Sequence, residues 1–430
     1  MWSDVVPTFG WRREGQLPYL SGGFSVGCIE LALPAPTSTG TCNAVVFYPS
    51  TQDASFGERP PWLTGQQLED WGRADLSPIF GDAASMFVMR HLGAFATGLL
   101  RLPATKGLKP AALPESFRSE GWPVAVLSHG LAGWATESAG LAASLCSHGC
   151  VVVLVCHADA ACHCDDYGEW RQAMLAHGIG ESELASDGEA WRRSQNEQRI
   201  AEVHAALDNL NDALRASDPK LFGIFRARTS RQVALVGHSF GGATAAACVL
   251  RDAREGKRAR FSHCFVSDPW IGGVSPDGGA SPLGESEVLS RPLPAGDALR
   301  TMRVWINEGV DTPTSVQTVM QSSMQISLAA GAEALVCAAK KAGAQTADVI
   351  RVPAEGQSQI DTPTVFGSGP LSCLISVAKG AAELAAGGGG KGRAPSAVPA
   401  RVALRSCIVE TLEPLLEHGW LAVGLAPLGP

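Results

Sequence analysis

The fold of this chain is decided by Arg231-Gln-Val-Ala-Leu-Val-Gly-His-Ser-Phe-Gly-Gly-Ala-Thr244. An apolar run ends at Gly237-His-Ser-Phe-Gly241, and a run of small residues follows at once. This order predicts a strand, a sharp turn and a helix, with Ser239 at the tip of the turn. Glycines flank the serine because side chains there would collide with the neighbouring strand and helix. The pattern therefore predicts an exposed hydroxyl beside the N-terminal N–H groups of a helix, which is the geometry of a nucleophile.

The short G-x-S-x-G pattern is weak evidence by itself, because this glycine-rich chain contains a second copy at Gly23-Phe-Ser-Val-Gly27. That copy lacks a preceding buried strand, and the residues that follow it, Cys28–Leu33, have the pattern of a strand and not of a helix. Only the copy at Ser239 has both elements in place. The alternative for Ser239 is a glycine-rich strand-to-helix turn in some other α/β protein.

Length, composition and charge are those of a globular protein. The chain has 430 residues, 45% of them hydrophobic and 18% charged, which is enough for one large core or two modest ones. Its net charge of −8 comes without a basic patch, so we expect no nucleic acid partner. The first residues lack the pattern of a secretory signal, and no apolar run is long and uncharged enough to span a bilayer.

The 12 cysteines lie mostly in apolar runs, among them Cys146, Cys150, Cys156, Cys248 and Cys337. In a long chain without a signal peptide this placement is typical of reduced, buried thiols. Together with the missing signal and membrane span, it predicts a cytoplasmic location.

Strands alternate with helices along the chain, which predicts an α/β fold with a mostly parallel sheet covered by helices on both faces. A long helix is indicated by the spacing of Ile200, Val203, Leu207, Leu210 and Leu214, which marks one buried face. Residues 157–190 have no regular pattern. Apolar runs predict strands at 24–33, 44–48, 124–127, 150–156, 261–266, 302–306 and 349–352, and helices at 86–102 and 136–147.

Composition also divides the chain into three parts. We expect an α/β domain over residues 1–380, a low-complexity Gly/Ala linker over 381–400 and a C-terminal helix over 401–430.

A serine hydroxyl needs a base, usually a histidine held by a carboxylate, before it can act as a nucleophile. In hydrolases whose serine lies on such a strand–turn–helix element, the triad residues follow in the chain order Ser, then Asp or Glu, then His. Asp268 is the candidate acid, because it directly follows a buried strand and so lies at the same edge of the sheet as Ser239. The alternative is an Asp that opens a turn before Pro269.

The oxyanion that forms during acyl transfer needs preorganised N–H donors. One predicted donor is the amide of Phe240, which follows the nucleophile. The other is the amide of Leu131, in the loop Ser128-His-Gly-Leu-Ala-Gly133 after an earlier strand.

The base has no clear candidate. His418 is the only histidine after Asp268, and it lies beyond the linker in a helical pattern typical of structural histidines. His157 and His163 belong to a loop at the same sheet edge. Glu355 would act as a base only with a strongly raised pKa.

Nine short segments, in their order along the chain, resemble the platelet-activating factor acetylhydrolase family of calcium-independent serine esterases. They cover most of residues 17–275. The segments are Leu17-Pro-Tyr19 with Ser25-Val-Gly-Cys28, Val46-Phe-Tyr-Pro-Ser50, Ser128-His-Gly-Leu131 with Leu141–Gly149, Cys156-His-Ala-Asp159, Gln195-Asn-Glu-Gln-Arg199, Gly237-His-Ser-Phe-Gly-Gly242 and Ser267-Asp-Pro-Trp270.

The resemblance implies an α/β-hydrolase fold, with Ser239 as nucleophile, Asp268 as triad acid, and the Leu131 and Phe240 amides as oxyanion donors. It also implies a histidine before a short acidic stretch late in the chain. Matching Asp361 to that stretch puts Gly356 where the histidine belongs.

The activity that the resemblance implies is hydrolysis of the sn-2 acetyl or short acyl ester of phospholipids, a phospholipase A2 activity in lipid degradation. Gly356 favours a different reading, a catalytically impaired or inactive homologue that acts as a lipid- or protein-binding module. A third interpretation is that the chain is a different carboxylesterase with the same fold.

Residues 86–102 resemble the family's apolar surface helix, which predicts peripheral contact with a lipid surface. The alternative is a helix packed over the sheet. Cysteines and histidines at Cys156-His157 and Cys162-His-Cys164 fit no standard zinc spacing, so we expect no metal and no cofactor.

Overall fold

Nine strands pair into one sheet in the part of the chain that the structure describes. The structure is a computed structural model. It describes residues 22–36, 40–53, 57–61, 101–130, 133–158, 186–254, 260–271, 299–308 and 331–353, together with positions 411, 414, 415 and 421. The strands are β1 (Ser25–Pro34), β2 (Thr41–Ser50), β3 (Thr105–Lys106), β4 (Val124–Ser128), β5 (Val151–Cys156), β6 (Val233–His238), β7 (Phe261–Ser267), β8 (Thr301–Glu308) and β9 (Thr346–Pro353).

The strand order is β3-β1-β2-β5-β4-β6-β7-β8-β9. Strand β2 runs antiparallel to both of its neighbours, β1 and β5, and the other neighbouring strands are parallel. With the two-residue β3 set aside, the eight remaining strands have the order 1-2-4-3-5-6-7-8 with an antiparallel second strand. This is the topology of the α/β-hydrolase fold, so the fold expected from the sequence is confirmed.

In the described ranges up to residue 353, five helices cover the sheet: α1 (Ala139–Ser147), α2 (Ser186–Ser217), α3 (Pro219–Phe222), α4 (Phe240–Arg254) and α5 (331–341). A short 3₁₀ helix spans Glu115–Phe117. The two faces of the sheet belong to two separate apolar clusters. Helix α1 packs with Leu415 and Leu421 on one face, and α2, α4 and α5 pack on the other. None of the helices in the described ranges is long and apolar enough to cross a bilayer.

Strand β5 shows why the core forms on both faces. All six of its residues are buried. Val151, Val153 and Val155 point to the α2 side, whereas Val152 and Leu154 point to the α1 side. A continuous β-branched run therefore serves both layers at once, as expected for a central strand of a parallel sheet.

The predicted strands all exist, with bounds that differ by a few residues. The five residues that mark the buried face of α2 are fully or almost fully buried, as predicted. The expectation of an irregular segment up to residue 190 is wrong at its end, because α2 begins at Ser186. Its first turns are polar and lack the apolar period that predicts a helix. Helix α5 was not predicted.

Some predictions lie outside the described residues, namely the linker at 381–400 and most of the C-terminal helix. The same holds for residues 86–100 of the predicted apolar helix. At its end, Arg101 pairs in an isolated bridge with Pro61, and Leu102 is buried in the cluster on the α1 side.

The described cysteines form no disulfide, and seven of the eight are buried. Burial raises the pKa of the Cys28 thiol to about 12, so that thiol stays protonated at neutral pH. The prediction of buried thiols is wrong for Cys337, which is exposed on α5. An apolar run in a helix at the edge of a fold buries only one face.

The crevice of the fold lies between β4 and β6. The chain leaves β4 through α1 on one face of the sheet and reaches β6 through α2 on the other. Such a reversal opens a crevice outside the carboxyl ends of the two strands, where ligands bind in α/β sheets. The loop that begins at His129 and the turn at Ser239 both lie at this crevice.

Candidate active site

Ser239 is at the tip of the turn between β6 and α4, where the sequence places it. Its φ of 51° is in the left-handed region, which residues with a Cβ rarely adopt. Its N–H donates to the Ser267 carbonyl at 2.9 Å, and its own carbonyl accepts from the Trp270 N–H at 2.9 Å and the Ala243 N–H at 3.1 Å. Three backbone hydrogen bonds, to β7, to the loop after it and to α4, therefore hold the strained residue in place. The serine is partly exposed.

The glycines beside Ser239 are required by close approach. A Cβ on Gly237 would lie 2.2 Å from the Gly241 carbonyl oxygen, and a Cβ on Gly241 would lie 2.0 Å from the Ser128 carbonyl oxygen. Neither position tolerates a side chain, because both contacts are with backbone.

Asp268 follows β7 directly and is 1% exposed, with a φ of 44°. Its N–H donates to the Trp305 carbonyl at 2.8 Å. His238 and Ser267 are paired in register across β6 and β7. Ser239 and Asp268 therefore leave neighbouring strands at the same level and the same edge. Asp268 as the triad acid stays a prediction.

The two predicted oxyanion donors belong to elements that meet at Ser239. Phe240 is the first residue of α4, where N–H groups have no acceptor within the helix. Leu131 lies outside the described residues, but Gly130 before it does not. A Cβ placed on Gly130 would lie 3.5 Å from the Ser239 Cβ. The loop after β4 thus passes directly against the serine.

A chain of buried hydrogen bonds runs behind this loop. The Ser128 hydroxyl lies 2.8 Å from His157 Nε2, and His157 Nδ1 lies 2.6 Å from Glu202 Oε2. Glu202 Oε1 also accepts from the Ala158 N–H at 3.1 Å. The side chains of His157 and Glu202 are fully buried. His157, one of the alternative bases, is therefore engaged with Ser128 and Glu202.

The remaining candidates for the base, Glu355, His163 and His418, lie outside the described residues, as does Gly356, the position where the resemblance puts the histidine. Strand β9 ends at Pro353 and is parallel to β8, so the chain reaches the Ser239 edge of the sheet just before Gly356.

A small cavity of about 30 Å³ lies next to the turn. Among its lining residues are Ser128, His129, Glu137, His238 and Trp305. Glu137 Oε1 accepts from the Gly130 N–H at 3.0 Å and lies 3.9 Å from His238 Nδ1.

Around the loop after β4, sequence reasoning missed three buried charged residues, Glu137, Arg199 and Glu202. The signal for the two on α2 was present. Arg199 and Glu202 adjoin Ile200 and Val203 on the apolar face of the helix, so the helical period that predicts burial includes them.

Comparison with known proteins supports the reading of the fold. The sequence model of the family described as platelet-activating factor acetylhydrolase, isoform II, matches residues 9–278. Among curated proteins, the platelet-activating factor acetylhydrolase of Canis lupus familiaris is 27% identical over 60% of this chain and 56% of its own length. That of Cavia porcellus is 27% identical over 64% of this chain and 59% of its own length. The chain thus spans less than two thirds of these relatives.

Solved esterases are similar to this chain at low sequence identity. A ferulic acid esterase from Streptomyces cinnamoneus has 16% identity and a TM-score of 0.47, covering 92% of this chain and 93% of its own. Brefeldin A esterase has 15% identity and a TM-score of 0.37, covering 94% and 87%. The family match covers well over half of the 430 residues. The chain therefore belongs to the platelet-activating factor acetylhydrolase, isoform II, family.

Proposed function

We propose that this chain is a serine esterase that releases acetyl or short acyl groups from the sn-2 position of phospholipids. The observation that carries the proposal is the strained, partly exposed Ser239 at the crevice, with Gly130 packed against it and the start of α4 beneath it. Membership in the family supports the substrate class.

In this proposal the Ser239 hydroxyl attacks the ester carbonyl and its proton passes to a base. The amides of Phe240 and Leu131 hold the oxyanion. The base then protonates the leaving lysophospholipid alkoxide, and an acyl-enzyme remains on Ser239. Water attacks the acyl-enzyme in the same way and regenerates the serine. Asp268 orients the imidazole that serves as base, whose identity the proposal leaves open.

Gly356 favours a second function, a non-catalytic member of the family that binds lipid or a partner protein through the same crevice. A triad without its histidine loses several orders of magnitude in rate. This alternative rests on the sequence around Asp361, where the resemblance implies a histidine five residues earlier and the chain has Gly356.

A fluorophosphonate probe separates the two functions, because it phosphonylates only an activated serine. We expect the wild type to be labelled and to release short acyl groups from phospholipid vesicles, and Ser239→Ala to do neither. Ser25→Ala, in the second G-x-S-x-G copy, is the matched control and keeps both. An unlabelled wild type would overturn the esterase and support the binding module.

Gly356→His tests whether the missing base limits the rate. If Asp268 and the oxyanion donors are in place, we expect kcat/KM to rise about 100-fold, the scale of general-base catalysis by a positioned side chain. The rate of the variant would also increase with pH through the titration of the new imidazole near its ordinary pKa of about 6.5, since only the neutral ring accepts a proton. An unchanged rate would show that Gly356 is not the position where a base is missing.

A further inference from the structure

Arg199 is a fully buried arginine that contacts both elements of the proposed oxyanion hole. It extends from α2 to the rear of the loop after β4. Its Nη1 donates to the His129 carbonyl at 2.8 Å and its Nη2 to the Gly130 carbonyl at 3.4 Å. Its Cζ lies 4.1 Å from the centroid of the Phe240 ring. One guanidinium group thus touches the loop after β4 and the first residue of α4.

Other hydrogen bonds also hold the loop after β4 in place. The His157 N–H donates to His129 Nε2 at 3.2 Å, so this bond assigns the ring proton of His129 to Nδ1. That Nδ1–H donates to the Gly130 carbonyl at 2.8 Å, and the Gly130 N–H donates to Glu137 at 3.0 Å. Both polar groups of Gly130 are therefore held, which fixes the direction in which the chain continues toward Leu131.

Stability alone does not explain a buried cation here. Removing a guanidinium from water is costly, and an apolar side chain of similar volume often serves a core as well or better. Planar, forked donors and a flat face over an aromatic ring are properties that arginine has and lysine lacks. These are the properties that the contacts with His129, Gly130 and Phe240 use.

We propose that Arg199 is a positioning residue of the oxyanion hole, which fixes the loop at 129–130 and Phe240 relative to each other so that the proposed donor amides, of Leu131 and Phe240, converge at Ser239. The inference rests on the proposed function of Ser239. Arg199 itself does not reach the substrate, because it acts from behind the two elements and is fully buried.

The test compares Arg199→Met and Arg199→Lys with Arg228→Met. Arg228 is a second buried arginine, paired with Glu120 at 2.6 Å. It adjoins the Trp122–Ala227 bridge before β4 and β6 begin, at the opposite edge of the sheet. For each protein, saturation kinetics of a fluorophosphonate give the maximal labelling rate and the half-saturating concentration. Hydrogen exchange reports on the peptide that contains residues 129–133.

We expect Arg199→Met to lower the maximal labelling rate by about 10- to 100-fold, the scale for a slightly misplaced catalytic group. The half-saturating concentration stays unchanged and exchange in the 129–133 peptide speeds up. Arg199→Lys keeps the charge and one donor nitrogen but loses the planar fork, so its maximal labelling rate lies between those of Arg199→Met and the wild type. Arg228→Met lowers the denaturation midpoint and leaves the labelling rate and the exchange of that peptide unchanged.

Two contrary results are distinguishable. If the wild type is labelled and Arg199→Met is labelled at the same maximal rate, the inference is wrong and the proposed function stands. If the wild type is not labelled at all, the proposed function fails, and exchange then decides about Arg199. If hydrogen exchange in the 129–133 peptide is faster in Arg199→Met and not in Arg228→Met, Arg199 does fix this loop. If exchange is unchanged in Arg199→Met, the inference about Arg199 is wrong.

Discussion

Ser239 and Asp268 share a backbone conformation that few non-glycine residues adopt. Their φ angles are 51° and 44°, and Gln232 is the only other non-glycine residue with a positive φ among those described. Such residues cost about 1–3 kcal/mol each and persist where the surrounding structure enforces them. Two strained residues at the ends of adjacent strands therefore single out this edge of the sheet.

Two variants, Ser239→Gly and Ser239→Ala, measure the backbone strain at this position without the effect of the hydroxyl, because both lack it and only alanine keeps the Cβ. Ser239→Gly removes the Cβ from a left-handed residue, so we expect it to be about 1 kcal/mol more stable than Ser239→Ala in urea denaturation. At Ser25, in the extended backbone of β1, the order reverses, because glycine weakens a strand by about 0.5–1 kcal/mol. Equal stabilities of the two Ser239 variants would show that the turn is not strained.

The place of a residue in the fold is predictable from sequence when the features that determine it lie close to that residue in the chain. Ser239 is predictable because strand, turn and glycines are all within a dozen residues of sequence. Asp268 follows from its place after a buried strand. The helical period includes Arg199 and Glu202 in the buried face, but it cannot name their partners, which distant segments supply, here His129, Gly130 and His157.

At the scale of elements, α2 joins the crevice to the core. Its apolar face packs on the sheet, and Arg199 and Glu202, three positions apart and so on one side of the helix, supply the polar contacts behind the β4 loop. The periodicity of the sequence predicted this helix and its buried face. It could not predict the helix start at Ser186, because the sequence of the first turns is polar and carries no apolar period.

Glu202→Ala tests this connection. The change removes the acceptor of His157 Nδ1 and of the Ala158 N–H. Leaving buried donors unsatisfied costs about 1–3 kcal/mol each, so we expect a loss of about 3 kcal/mol in the free energy of unfolding. Glu197→Ala is the control on the same helix, since Glu197 is 62% exposed in its pair with Arg251 and such pairs contribute about 0–1 kcal/mol. Similar losses in both variants would contradict a special role for Glu202.

At the end of the sheet opposite to Ser239, the Glu120–Arg228 pair makes a contribution to stability that depends on pH. The hydrogen bond from Arg228 holds the pKa of Glu120 below its usual value of 4.5. Because the pKa is lowered on folding, the contribution of Glu120 is complete above pH of about 4.5 and disappears as the pH falls through the folded-state value. We expect Glu120→Gln to be less stable than the wild type at pH 7, with the difference shrinking below pH of about 4. A difference that is constant with pH in denaturant titrations would rule out this linkage.

At the scale of the whole molecule, one sheet separates two apolar cores, and late segments of the chain complete both. Helix α5 extends the core on the α2 side, and Leu415 and Leu421 extend the core on the α1 side. Composition predicts a linker over residues 381–400 and a C-terminal helix after it, and it carries no information on where the chain packs beyond the linker. Burial of Leu415 at 0% exposure places this part of the tail in the same core as α1.

Leu415→Ala measures how much that contact stabilises the fold. If the C-terminal segment is an integral part of the core, truncating a fully buried leucine costs about 2–5 kcal/mol and lowers a single, cooperative unfolding transition. Ile224→Ala is the matched control, since Ile224 is 100% exposed and its truncation leaves the transition almost unchanged. An independent C-terminal helix would give the opposite pattern, in which Leu415→Ala leaves the main transition in place, because the hydrolase core would not depend on that side chain.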